Sequence, residues 1–561
     1  DLDAGVATTD VVALGLFLQA NGSVGGDGND NELHTRVNTI DNVAGNNVAK
    51  NIYIIEYDGV NLGSINGLST VNGDIDITAA NNAAGDITAT SVTAGGAGAG
   101  NGNIILTTLN GGGAGTGNIA VGLRTALGDA VTLISNNNIT DLDGTSTVDI
   151  SSGALYLQSV GTVGTFANYL NTRVGTIDDY TGGNVGTNLY INEYDGVNLG
   201  SLNTTTGLST TNGEIRIIGA ATADGDLTAT KLTAGGVGNN IYLTTLNGAG
   251  GNNNIALGVV TALGDNVILN SDFNITNSAG TTTPNVITGG LYLSAGGSVG
   301  GSSDAAEVYT TVSTIDDRTG VNNVQGNIYI DETNDVSLGT INGLTTTAGL
   351  INIDAGGTIT VGALTANGGY GVFLNAGTDI LGAPGGLLTA TATSTLQAGG
   401  VIGTIYNPLN VNVNGTLWVW TASQQNQVSV ILNGTVNSGA PTERVEIIEP
   451  SPPGLVILNN HLMGGGNYGS ESALGSILSR GFGDFGLTFT DMYGLFYDQA
   501  IHPWSYKMSL QWELSEGAII TADTLKDPPA TVDVSQLNIS MPAPLQTGLT
   551  APSNYYIIGH V

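Results

Sequence analysis

One nine-residue phrase, EYDGVNLGS, occupies Glu56–Ser64 and returns letter for letter at Glu193–Ser201, 137 residues on. A third, altered copy, DETNDVSLGT, spans Asp331–Thr340. Other segments recur at nearly the same offset. GLFLQANGSVGG (Gly15–Gly26) matches ALYLQSVGTVGT (Ala154–Thr165) and GLYLSAGGSVGG (Gly290–Gly301). RVNTIDN (Arg36–Asn42) matches RVGTIDD (Arg173–Asp179) and TVSTIDD (Thr311–Asp317). A chain assembled from such copies must stack or string like units, which limits its architecture before any single residue is considered.

Within each long copy runs a finer beat. Short strands are predicted to begin at NIYI (Asn51), DIDI (Asp74), NIIL (Asn103), AVTL (Ala130) and ALYL (Ala154), about five beats per copy. Each beat alternates apolar and polar residues with period two, and Gly, Asn or Asp punctuates the gaps, so the chain reads as all-β. A β-sandwich would need hairpins between these strands. A parallel stack instead explains why apolar residues recur at equivalent places, as in Ile52/Ile54, Ile75/Ile77 and Ile104/Leu106. The expected fold is a right-handed parallel β-helix (β-solenoid) of about 15 coils, three-sided, with Gly and Asn at the corners. At ~4.8 Å per coil its length would be about 70 Å. The solenoid would fill residues 1–400 as long repeats 15–153, 154–289 and 290–395, and 401–465 would add its last coils. Asn136–Asn138 and Asn252–Asn254 should stack as amide ladders at turns.

In this frame EYDGVNLGS is a corner rather than a ligand site. Ile54 and Ile55 end one strand, Asp58-Gly59 turns, and Val60 and Leu62 begin the next face. Glu56 and Asp58 are the two letters that a corner leaves unexplained.

Charge narrows the partners. The chain carries 46 Asp and Glu against 11 Lys and Arg, a formal charge of −35. That excludes nucleic acid, which needs clustered cations, and disfavours anionic membranes. With no cysteine there are no disulfides and no thiolate chemistry. No apolar run approaches the ~18 residues of a membrane helix, so direct membrane insertion is not expected. The opening DLDAG matches DLDGT at Asp141, so Asp1 is expected to be a processed or trimmed end, preceded by a secretion signal and further repeats.

Residues 1 to about 465 resemble the β-helical shaft of bacterial surface exoproteins of the filamentous haemagglutinin type. The resemblance rests on GNIYI (Gly326–Ile330), NIILTTLNG (Asn103–Gly111), VTAGG (Val92–Gly96) and LTAGG (Leu232–Gly236). It extends to NPLNVNVNGTLWVW (Asn407–Trp420) and PPGLVILNNHLMGGG (Pro452–Gly466). The acidic, cysteine-free composition is also similar to that of surface-layer proteins. The resemblance implies export, with adhesive, biofilm or surface-coat roles.

After Gly466 aromatic residues concentrate and the strand beat stops, so residues 466–561 read as a cap or assembly module. A blunt solenoid end exposes strand edges that recruit other chains unless covered. Phe482, Phe485, Tyr493, Phe496, Tyr497, Trp504 and Trp512 are the expected self-assembly residues.

Calcium is the one cofactor to weigh, and none is required. GGDGNDNEL (Gly25–Leu33) nearly spells a β-roll calcium repeat, which would use Asp27 and Asp30. Asp41, Asp178, Asp179, Asp316 and Asp317 recur after one strand; they read first as solvated turn residues, with calcium as the alternative. Catalytic signatures are absent: the four His show no metal spacing, and no nucleophile elbow or phosphate loop occurs. The expectation is a non-enzymatic extracellular structural protein whose partner is itself, joined into a filament, fibre or surface coat. The alternatives are an adhesin shaft binding host or glycan surfaces, and a β-helical polysaccharide-degrading enzyme.

Overall fold

The computed structural model describes residues 9–432 apart from segments 28–30, 80–84, 96–101, 110–116, 145–146, 203–205, 220–224, 248–251, 281–282, 320–322, 405–406 and 423–427. It also describes the backbone of strands Arg444–Ile447, Leu455–Asn459 and Tyr556–His560. The described residues are all-β without a helix, and they wind as a parallel β-solenoid of about 15 turns. Two compact units divide the chain, one of residues 1–312 with 320–322, the other of 313–319 with 323–561.

In the first unit each coil has a flat side and a bent side. The flat side is a five-residue strand such as Ile52–Glu56, Ile75–Ala79 or Ile104–Thr108, whose first, third and fifth residues are buried. The bent side is an eight-residue strand such as Ile87–Ala94 or Leu227–Ala234. There two consecutive residues, Thr90-Ser91 or Thr230-Lys231, face outward and break the alternation. The break bends the strand into two short limbs, which with the flat side make three sides per coil.

Inward residues stack coil on coil. Ile52, Ile75, Ile104, Val131 and Leu155 stand in register, each fully buried. A buried aliphatic side chain contributes about 1.5–3 kcal/mol, and one such column repeats that gain at every rung. Polar ladders run along the corners. Asp86 accepts N–H bonds from Gly117 (2.9 Å) and Asn118 (2.7 Å), Asn118 Oδ1 accepts from Asn137 Nδ2 (2.9 Å), and Asn138 Oδ1 accepts from Thr162 N (2.9 Å). In the second long repeat Asp226, Asn254, Asn274 and Ser298 form the matching ladder.

The long repeat is not a whole number of coils. Leu189 opens strand Leu189–Glu193, the counterpart of strand Ile52–Glu56. Yet the column through Leu189 leads back through Val163, Ile139, Ile119 and Ile87 to Val60, on the bent side. Conversely, the column from Ile52 passes Leu155 and Ile177 and reaches Leu199, the counterpart of Leu62. The 137 residues from Glu56 to Glu193 therefore contain five and a half coils, not five. Flat and bent sides exchange places from the first copy to the second.

The second unit has the same alternation of flat and bent strands. Its flat strands Ile328–Glu332, Ile351–Ala355, Val372–Ala376, Ser394–Ala398 and Thr416–Thr421 pair in parallel register. Strands Leu455–Asn459 and Tyr556–His560 pair antiparallel. The rest of 466–561 lies outside the described residues, and with it all seven expected self-assembly aromatics, Phe482, Phe485, Tyr493, Phe496, Tyr497, Trp504 and Trp512.

Candidate functional site

The thrice-written phrase is the first place to look for chemistry. Glu56 closes a strand on an inward position and is fully buried. Thr35 of the preceding coil donates its hydroxyl to Oε2 at 2.6 Å, Val37 N donates at 3.1 Å, and Asp58 N donates to Oε1 at 3.2 Å. Glu193 repeats the arrangement with Thr172 Oγ1 (2.6 Å) and the N–H groups of Val174, Tyr194 and Asp195 (3.1 Å each). Glu332 is also fully buried and accepts Asn334 N at 3.0 Å. The carboxyl thus receives backbone donors that a corner would otherwise strand. Burial pushes Glu56 above its ordinary range and Glu193 up to about 7, against the opposing pull of these donors. All three carboxyls face the interior of the coil and present no oxygen at the surface.

The second glycine of the phrase is fixed by space. Gly63, Gly200 and Gly339 have φ of +62°, +67° and +62°. A Cβ there would lie 1.8, 2.0 and 2.2 Å from the carbonyl oxygens of Ser91, Lys231 and Ala363 on the next coil. The first glycine is dispensable, since Asp335 replaces it in the third copy.

The remaining letters form an exposed bracket. Arg36 Nε meets Asp58 Oδ2 at 3.0 Å and lies 4.5 Å from the Tyr57 ring centroid. Arg173 does the same with Asp195 (3.1 Å) and Tyr194 (4.5 Å). In the third copy Thr311, Thr333 and Asn334 replace all three together. The members change as a set, which fits one surface unit laid over an unchanged corner.

The recurring aspartates are not solvated, contrary to expectation. Asp41, Asp178, Asp179, Asp316 and Asp317 are all buried. Asp41 Oδ1 accepts the N–H groups of Ile65 (3.1 Å) and Asn66 (2.8 Å) on the next coil, and Asp316 Oδ1 those of Ile341 (3.0 Å) and Asn342 (2.8 Å). Asp178 Oδ2 accepts Leu202 N at 2.6 Å, and Asp179 Oδ2 accepts the Ser209 hydroxyl at 2.5 Å. Burial, helped by a smaller push from the preceding aspartate, raises Asp179 and Asp317 to about 7. These carboxyls hold the loop that follows EYDGVNLGS. Asp27 is exposed and stands in a different coil, beside an acidic group in which Asp76 is raised to about 6 by burial, Glu32, Asp27 and Asp74. Asp30 lies outside the described residues.

The outward positions of the flat strands differ between copies. In the second copy Tyr190, Arg216, Tyr242 and Ile268 stand in register, continued by Tyr292 of the third. The Arg216 guanidinium lies 3.7 Å from the Tyr242 ring centroid and 5.1 Å from that of Phe166, and Phe166 meets Tyr190 edge-on at 6.4 Å. The first copy carries Tyr53, Asp76, Ile105 and Thr132 there, continued by Tyr156 of the second.

The inward role of Glu56 was missed in the sequence because its neighbours read as a turn. One signal was available: the third copy keeps Glu332 while it changes the tyrosine, the aspartate and the first glycine. Compared with protein-family models, curated proteins and solved structures, the chain matches none.

Proposed function

We propose that the chain is a non-enzymatic structural protein of the cell exterior, a self-associating β-solenoid subunit of a surface filament, fibre or coat. The observation that carries this reading is the inward direction of Glu56, Glu193 and Glu332, each fully buried. The chain repeats this acidic phrase to bind coil to coil, as a scaffold requires. A catalyst would turn such acids toward solvent. The charge of −35 supports the reading, because it favours hydration and resists non-specific adhesion. Electron microscopy of the purified full chain tests it: regular fibres or sheets are expected. Isolated single-chain particles over a wide concentration range, seen also by light scattering, would overturn self-association.

The partly exposed outward rings of Tyr242 and Tyr292 support a second reading, an adhesin shaft that holds glycans against its aromatic rings. Binding of glycans without turnover, lost in Tyr242→Ala, would favour it. Turnover would instead favour the polysaccharide-degrading enzyme.

A further inference from the structure

The segment Asp141–Asp149, DLDGTSTVD, brings three carboxylates together in the first unit. Asp141, Asp143 and Asp149 each offer an oxygen within 4.8 Å of the others. Asp149 is 1% exposed. Its backbone N–H donates to Asn171 O (2.8 Å), and its Oδ2 accepts Asn171 N (2.8 Å). Its Oδ1 is shut away from solvent and has no hydrogen-bond donor. Asp141 Oδ1 is held by the N–H groups of Asp143 (2.9 Å) and Gly144 (3.0 Å), and the Thr147 hydroxyl donates to Asp143 Oδ2 (2.9 Å). These bonds tie Asp141 to Asp143 and Gly144, and Asp143 to Thr147, and leave Asp149 Oδ1 unserved.

The second long repeat supplies an uncharged version of the same loop, NSAGTTTPN, Asn277–Asn285. The two loops leave the sheet alike: Leu142 N donates to Val121 O at 2.8 Å, and Ser278 N to Leu257 O at 2.8 Å. Asn285 makes the exchange that Asp149 makes, giving its N–H to Tyr309 O (2.7 Å) and accepting Tyr309 N on Oδ1 (2.8 Å). Its Nδ2 therefore corresponds to Asp149 Oδ1. That nitrogen donates to Leu257 O (2.7 Å), Gly258 O (3.1 Å) and Asn277 Oδ1 (2.9 Å), so three acceptors converge on one donor. In the first repeat the counterparts of those acceptors are the carbonyls of Val121 and Gly122 and the carboxyl of Asp141. Exchanging the amide for a carboxyl replaces the central donor by another oxygen.

When ionised, an all-oxygen cluster with one buried, undonated carboxylate oxygen is balanced by a positive charge at its centre. Calcium suits it, taking ~6–8 carboxylate and carbonyl oxygens at flexible geometry, whereas magnesium demands a tight octahedron. We propose that Asp141, Asp143 and Asp149 bind a calcium ion that takes the place of the Asn285 side-chain N–H donors. One repeat is thus clamped by an ion and its sister by an amide.

Isothermal titration of the EDTA-treated full chain with calcium chloride tests this. Wild type is expected to show a saturable site at or below ~10⁻³ M. Asp149→Asn, which installs the sister repeat's own solution, and Asp141→Asn/Asp149→Asn should each lose one site from the stoichiometry. Their far-UV circular dichroism in EDTA should match wild type. Wild-type crystals grown with calcium should show anomalous density beside Asp149 Oδ1. Unchanged stoichiometry in the double variant, absence of calcium binding in wild type, or no ion density at Asp149 would each overturn the proposal.

Discussion

Thr172 donates its hydroxyl to Glu193 across 2.6 Å, from one coil to the next. Three backbone N–H groups share the same carboxyl. Glu193→Ala strands these buried donors and should cost on the order of 3 kcal/mol. Glu193→Gln keeps an acceptor and should cost less. Urea unfolding of the two variants measures both; an alanine variant as stable as wild type would refute the bonding role.

Stability should rise as pH falls from 8 to 5. Glu193, Asp179 and Asp317 titrate near 7 in the folded chain and near their ordinary acidic values when unfolded. The folded state therefore binds more protons through that window, and the linkage slope is negative. The contribution is fully present below the unfolded pKa and is lost as pH climbs through about 7. Melting temperature against pH checks this, and Glu193→Gln should flatten the curve.

Gly200→Ala should destabilise by more than ~2 kcal/mol, combining a left-handed backbone with a clash against a fixed carbonyl. The Lys231 oxygen would lie 2.0 Å from the added carbon. Gly196→Asp, which copies the third phrase, should be tolerated by comparison. Thermal unfolding of the two variants side by side decides whether the second glycine is the constrained one.

Arg173→Thr should change stability by less than ~1 kcal/mol, because its ion pair with Asp195 is nearly half exposed on both sides. The third copy already dispenses with this bracket. A large loss on denaturant unfolding would mean that the bracket supports the corner beneath it.

The solenoid was legible because period-two runs such as Ile52/Ile54 and Ile75/Ile77 become columns when stacked. The Asn138 and Asn254 ladders were legible for the same reason. The half coil was not. Whether Leu189 stacks over Ile52 or over Val60 depends on how many residues each corner consumes, and corner lengths vary without changing the repeat's spelling. The burial of Asp41 and Asp178 was hidden too, since an aspartate after a strand looks the same whether its carboxyl meets water or a neighbouring coil's N–H groups.

The surplus half coil has a consequence for contact with anything outside. The Arg36–Tyr57–Asp58 and Arg173–Tyr194–Asp195 brackets emerge on alternate flanks, as leaves do on a twig. A flat neighbour laid lengthwise would meet one bracket and miss the next. Two neighbours, one on each flank, would each meet a single bracket.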